Sequence, residues 1–197
     1  IVAVSKTHPT ASIREAAAAG ALDFGENYAQ ELATKQAELA LPIRWHYIGR
    51  LQRNKAKLVA GKVALVHAVD SVELAEELAK RAAQVQPILL AVNLGGEASK
   101  GGVTGETAAG LAARLAAIPN VRLDGLMTMP PPSDDPEASR PVFEALRALR
   151  DRLSQDLGHA LPVLSMGMSG DYEVAIACGA THVRIGTAIF GVRPNLA

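Results

Sequence analysis

Val163 to Gly191 reads VLSMGMSGDYEVAIACGATHVRIGTAIFG, and this stretch decides the fold. It opens with a short apolar run, Val163–Met166, turns through Gly167 and Gly170 with Ser169 between them, and continues as an apolar helical segment that stops at Gly179. A β-branched run, Thr181–Ile185, follows, and then a second glycine turn at Gly186-Thr187. Strand, helix and strand in close succession make a crossover unit, the connection that joins parallel strands. Gly179, just past the helix, reads as a left-handed C-cap.

Working outward, the same unit recurs along the chain. Candidate strands lie near Ile1–Ser5, Leu22–Phe24, Trp45–Ile48, Leu65–Ala68, Ile88–Asn93, Leu123–Met127, Val163–Met166 and Thr181–Ile185. Helix starts are marked by Ser12 with Glu15 and by Asp70 with Glu73, both capping boxes, and by Asp135 followed by Pro136; Gly20 and Gly158 mark helix ends. Eight strands separated by helical or helix-turn segments predict a single-domain (β/α)8 TIM-type barrel spanning 1–197. A doubly wound sheet fits less well, because no G-x-G-x-x-G follows the first strand. The chain is short for a barrel, where about 250 residues is typical. It opens inside a strand without methionine and runs out soon after the eighth strand, so we expect a helical segment upstream of Ile1 that covers the eighth strand.

Composition narrows the functional class. Of 197 residues, 49% are hydrophobic and 20% charged, enough for one sizeable core. The 20 Lys and Arg balance 20 Asp and Glu, which argues against a nucleic-acid surface or a polybasic membrane face. A single cysteine, Cys178, in an apolar helix leaves no intrachain disulfide and reads as a packed small hydrophobe in a reducing, cytoplasmic setting. No apolar run approaches the roughly 20 residues of a membrane span. The histidines, at 8, 46, 67, 159 and 182, show no metal-binding spacing. Arg50, Arg53, Lys55 and Lys57 read as a solvated basic turn.

In a barrel, chemistry collects where the strands end and the β-α loops begin. Val2, Val4 and Lys6 alternate onto one face of the first strand, so a lysine follows two valines toward the barrel interior. A desolvated amine there can attack an aldehyde to form an imine. The loops Ser165–Gly170 and Gly186-Thr187 follow strands seven and eight, where barrel enzymes commonly bind phosphate through backbone N–H groups. Arg184 alternates inward between Val183 and Ile185; a guanidinium beside a pyridine ring keeps the ring nitrogen unprotonated.

VAVSKTHP, DFGENYAQE, WHYIGRLQRNKAK, DGLMTM and SMGMSGDYEVAIACGATHVRIGTAIFG, in this order over nearly the whole chain, resemble the pyridoxal 5′-phosphate homeostasis proteins, the YggS/PROSC-like family. The resemblance implies an alanine-racemase-like barrel (fold type III) that holds pyridoxal 5′-phosphate as an imine. It assigns Lys6 to the imine, Ser165, Gly167, Met168, Ser169, Gly186 and Thr187 to the phosphate, Arg184 to the ring nitrogen, and Asn27, His46 and Asn93 to the mouth. The loop LGGEASKGG (Leu94–Gly102) is glycine-richer than the family pattern, although Glu97, Lys100 and Gly102 fit it.

The resemblance further implies a cytoplasmic carrier in vitamin B6 homeostasis without evident catalysis, a monomer or weak homodimer, with pyridoxal-phosphate-dependent apo-enzymes as recipients and neither nucleic acid nor membrane as partner. Two other readings compete. An amino-acid racemase needs a second acid/base on the opposite face of the ring, and none of Tyr28, Tyr47 and Tyr172 has the expected placement. A cofactor-free aldolase would use Lys6 but leaves the phosphate loops and Arg184 without a purpose.

Overall fold

The computed structural model describes residues 1–95 and 102–192; Glu97 and Lys100 lie outside the described residues. Its elements run β1 (Val2–Val4), α1 (Thr10–Ala18), β2 (Asp23–Glu26), α2 (Ala29–Glu38), β3 (Arg44–Tyr47), a 3-10 turn (Arg53–Leu58), β4 (Leu65–Val69), α3 (Val72–Arg81) and β5 (Gln86–Asn93). They continue with β6 (Val103–Thr104), α4 (Gly105–Ala116), β7 (Val121–Met127), a second 3-10 turn (Pro136–Ser139), α5 (Arg140–Leu157), β8 (Val163–Ser165), α6 (Tyr172–Ala177), β9 (Arg184–Ile185) and α7 (Thr187–Phe190). Parallel pairing runs β8-β7-β5-β4-β3-β2-β1-β9, with the short β6 beside β5. A parallel bridge between Ser165 and His182 joins the two ends and closes the barrel.

The expected strand over Thr181–Ile185 shortens to β9 because Thr181 pairs through its side chain. Its Oγ1 accepts the Leu164 N–H at 2.9 Å, so a hydroxyl does the work of a backbone carbonyl. Two helix starts also move. The α1 helix begins at Thr10, two residues before the expected cap: Pro9, locked at φ −69° and ψ 160°, ends the incoming chain, and its carbonyl accepts the Ser12 N–H. Ser71 rather than Asp70 caps α3, accepting the Leu74 N–H, and leaves Asp70 to face the barrel mouth. Asp135 caps its 3-10 turn as expected, and Gly158 closes α5 in the left-handed conformation. Along α5, Phe143, Leu146, Leu149 and Leu153 are buried at helical spacing; each such side chain contributes about 1.5–3 kcal/mol on burial.

The core has two zones. Phe24, Val66, Ile88, Leu90 and Leu126 pack outward against the helices, whereas Leu65, Ala68, Leu89 and Met127 form a smaller cluster inside the ring. On β4 strict alternation fails: Leu65 and Ala68 both belong to the inner cluster, Val66 and Val69 to the outer one. An irregularity in the β4/β5 register between Val66 and Val69 absorbs the mismatch. A second irregularity, opposite Ile88 and Leu89 on β7, is built around Gly125, whose φ is 157° and whose missing Cβ would lie 1.9 Å from the Val163 carbonyl oxygen. Both devices re-aim inward-facing side chains.

Candidate functional site

A cavity of about 320 Å³ opens at the C-terminal ends of the strands, within the roughly 300–1,000 Å³ range of small-molecule sites. Val4 and Lys6 both line it, as strand alternation requires, and Lys6 is half-buried. Asn27 and Asn93 enter from the ends of β2 and β5, Met168 and Ser169 from the loop after β8, and Gly186 and Thr187 from the end of β9. Arg184 forms part of the wall and is almost wholly buried. Met127 and Met129, at the end of the sixth predicted strand, line the cavity too, as do Arg50 and Asp70, which sequence reading places in a solvated basic turn and a helix cap.

Three expected residues lie elsewhere. Gly167, at φ 92°, packs so tightly under α6 that a Cβ would sit 2.5 Å from Ala175, and its carbonyl accepts the Arg184 N–H. Its part is to let β8 turn into the loop. Ser165 is fully buried inside the ring below the cavity. His46 lines a separate recess at the opposite mouth, among residues that begin the strands, such as Asp23, Leu65 and Val163.

Ser165 and His46 belong instead to a hydrogen-bonded chain running through the barrel. Asp23 Oδ1 lies 3.0 Å from His46 Nε2, His46 Nδ1 lies 3.0 Å from His67 Nε2, and His67 Nδ1 lies 2.8 Å from Ser165 Oγ. Arg184 donates from Nη1 to Ser165 Oγ at 2.7 Å and from Nη2 to the Thr128 carbonyl at 3.0 Å. Burial works to raise the Asp23 carboxyl, but hydrogen bonds from Arg44 and His46 outweigh it and hold it below the usual carboxylate value. Burial holds His46 below 6.5 and His67 well below it. With Asp23 ionised and both imidazoles neutral, one proton arrangement satisfies every link: Arg184 donates to Ser165, Ser165 to His67, His67 to His46 and His46 to Asp23. Burial lowers Arg184 to about 10, which leaves it charged at neutral pH. The chain fixes the guanidinium from beneath.

His182 lies beside this pair, its ring centroid 5.9 Å from His46 and 6.1 Å from His67, and burial pushes it to about 4. A histidine depressed in the fold takes up its proton more readily when unfolded, so its stabilising contribution is complete above the unfolded value and is lost as pH falls. Expected result: between pH 6.5 and about 4 the urea midpoint of the wild type falls more steeply than that of His182→Gln. Comparing the two cancels Glu26, whose carboxyl burial raises and which works in the opposite sense. Parallel profiles would remove the imidazole from the account.

The loops after β8 and β9 are tied together. Asp171 Oδ1 accepts the Met168 N–H at 2.7 Å, Ser169 Oγ accepts the Ala188 N–H at 3.4 Å, and the Phe190 ring stacks on His8 at 5.1 Å, linking this side of the mouth to the Lys6 loop. Gly186 precedes α7 and Thr187 opens it; the Ile189 and Phe190 N–H groups bond the Gly186 carbonyl and Ala188 bonds Ser169, so the Thr187 N–H and hydroxyl are the donors of this turn suited to an anion. An amine, a buried guanidinium and the donors of this turn thus face one small cavity, a donor set that fits an aldehyde-bearing aromatic phosphate.

Cys178 is buried, and burial raises its thiol. Among the described residues, no helix is long and apolar enough to cross a membrane.

The family described as alanine racemase, N-terminal domain, matches residues 1–194. A curated relative from Aquifex aeolicus named pyridoxal phosphate homeostasis protein is 49% identical over 98% of this chain and 86% of its own length. PipY of Synechococcus elongatus, solved with pyridoxal phosphate (PLP) bound, superposes at a TM-score of 0.89 with 37% identity, covering 96% of this chain and 91% of that one. Alanine racemase from Corynebacterium glutamicum, at a TM-score of 0.80 but 19% identity, shares the fold; this chain spans all of its own length and 57% of that protein.

Proposed function

This chain belongs to the pyridoxal phosphate homeostasis proteins, within the family of the alanine racemase N-terminal domain, and from that premise we propose that it holds pyridoxal 5′-phosphate as a Schiff base on Lys6. The observation that carries the reading is the convergence of Lys6, Arg184 and the Ser169 and Gly186-Thr187 loops on one cavity. When bound, the cofactor supplies an aldehyde for the amine and a phosphate for the loops. Lys6 offers its amine from the wall built by β1. Ser169 and Thr187 would orient the anion by hydroxyl and N–H donation, while Met127 and Met129 contribute apolar wall to the cavity.

Arg184 sets the limit on chemistry. A guanidinium that stays charged donates a hydrogen bond to a ring nitrogen without giving up its proton, so the ring remains a poor electron sink. None of the three tyrosines lines the cavity. Tyr47 donates to the Asn27 carbonyl at 2.9 Å and burial pushes it up to about 12; Tyr28 is exposed beside it, and Tyr172 sits on α6. These placements favour a carrier that buffers a reactive aldehyde over a racemase; a cytoplasmic setting, apo-enzymes as recipients and a monomer or weak homodimer are the parts of the proposal that the resemblance alone supports.

Thr187→Val and Ser169→Ala test the phosphate assignment. Each removes about one hydrogen bond to an anion, so each should weaken PLP binding roughly five- to tenfold. Equilibrium dialysis measures the binding, and the melting temperature should stay unchanged because both side chains are at the surface of the mouth. Unaltered affinity in both variants sinks the assignment.

A further inference from the structure

Behind the Lys6 loop, on the face turned away from the cavity, lies a buried ionic cluster. Lys35, from α2, is 5% exposed and donates from Nζ at 2.7 Å to Glu26 Oε1, to Glu31 Oε1 and to the Ser5 carbonyl. Ser5 Oγ donates to Glu26 Oε1 at 2.7 Å, and Glu31 Oε1 accepts the Thr7 N–H at 2.6 Å. The two residues flanking Lys6 are therefore both held, Ser5 through its carbonyl and hydroxyl and Thr7 through its amide. Thr7 has a φ of 65°, left-handed and costly for a β-branched residue, and such a conformation persists where its surroundings over-determine it.

Stability alone does not account for the cluster. Two carboxylates share one ammonium, Glu26 is fully buried, and its Oε2 has no hydrogen-bond partner. Such buried ionic groups are commonly neutral or worse for stability than apolar replacements of the same size. What this one does have is a geometric output: it grips the backbone on either side of the residue whose side chain enters the cavity.

We infer that Lys35, with Glu26 and Glu31, is a positioning device that aims the Lys6 amine into the cavity by clamping Ser5 and Thr7 from behind. The inference rests on Lys6 being the imine-forming residue. The cluster touches no ligand; it acts through the strained Thr7 and through the Ser5 carbonyl. The phosphate loops and Arg184 belong to β8, β9 and their turns and meet the Lys6 loop through the His8–Phe190 stack, which the cluster does not touch, so its removal should damage chiefly the step that needs the amine in place.

The test separates covalent from noncovalent binding in the full chain. For wild type and Lys35→Met, the rate of imine formation from PLP is followed by absorbance and by borohydride trapping, and affinity is measured for pyridoxine 5′-phosphate, which has an alcohol in place of the aldehyde. Displacing a reactive group by a fraction of a bond length lowers rates by about tenfold or more, so the imine rate should fall by at least that factor while pyridoxine 5′-phosphate affinity stays within about twofold. Because Lys35→Met alone strands two acids, Lys35→Met with Glu26→Gln gives a second variant with less uncompensated charge and the same expected result. Equal losses in both measurements, or no loss in either, overturn the inference. If borohydride leaves Lys6 of the wild type unlabelled, the imine reading itself fails, and the two failures are told apart.

Discussion

Lys6→Ala should lose the imine absorption band completely, while borohydride treatment of the PLP-loaded wild type should attach the cofactor to Lys6. The expectation follows from topology. A side chain that alternates with Val4 into a cavity of about 320 Å³, one strand over from the buried Arg184, places an amine against whatever ring the cavity holds. The loss of the covalent link should also weaken retention by about two orders of magnitude, roughly 2.8 kcal/mol. The melting temperature of the variant checks that loss of the band is not loss of the fold. Peptide mapping after reduction decides the matter. Label on Lys35, locked in its ionic cluster, or on Lys55, in the neighbouring recess, would falsify the assignment.

The largest effect on the fold itself is expected at Gly125. Alanine there must place a Cβ 1.9 Å from the Val163 carbonyl oxygen and 2.7 Å from its carbon, at a φ of 157° that side chains with a Cβ rarely adopt. Neither neighbour can yield, because both are backbone atoms paired in the β7/β8 ladder. Destabilisation of about 4 kcal/mol or more is expected, the scale reserved for strain at a special backbone conformation in a packed core. Urea unfolding measures it. A loss below about 1 kcal/mol would show that β7 and β8 do not approach as described. The site should suffer with the fold, since Met127, two residues on, lines the cavity.

The fold was legible because parallel strands buried on both faces read as short apolar runs, and because Gly20, Gly158 and Gly179 punctuate the helices with positive φ. Lys6 and Arg184 were legible for a narrower reason: on β1 and β9 the alternation is regular, so parity predicts direction. On β4 it does not. The irregularity between Val66 and Val69 alters the parity after His67, and nothing local in LVHAV announces it. The histidines carry no spacing signal either, yet His46 on β3, His67 on β4 and His182, two residues before β9, bring their ring centroids within 5.2–6.1 Å of one another. Ser165 was misplaced by its company: it sits beside a phosphate-type loop, but one residue of strand geometry turns it down into the ring. The Glu26–Lys35 contact joins a strand to the helix after it, and a lysine on a helix is ordinarily solvated, so composition gave no hint that this one is buried.

The chain from Arg184 to Asp23 links the two ends of the barrel. Every donor in it points the same way, so its small dipoles add head to tail and end on a carboxylate gripped by Arg44 at the far rim. An engineer who wanted to turn this carrier into a catalyst would find a lever on its electronics at the opposite rim, on Asp23 and His46, which do not line the cavity that Lys6 enters. Reversing the polarity there would change the hydrogen bond that Ser165 offers Arg184 from residues that lie outside the pocket.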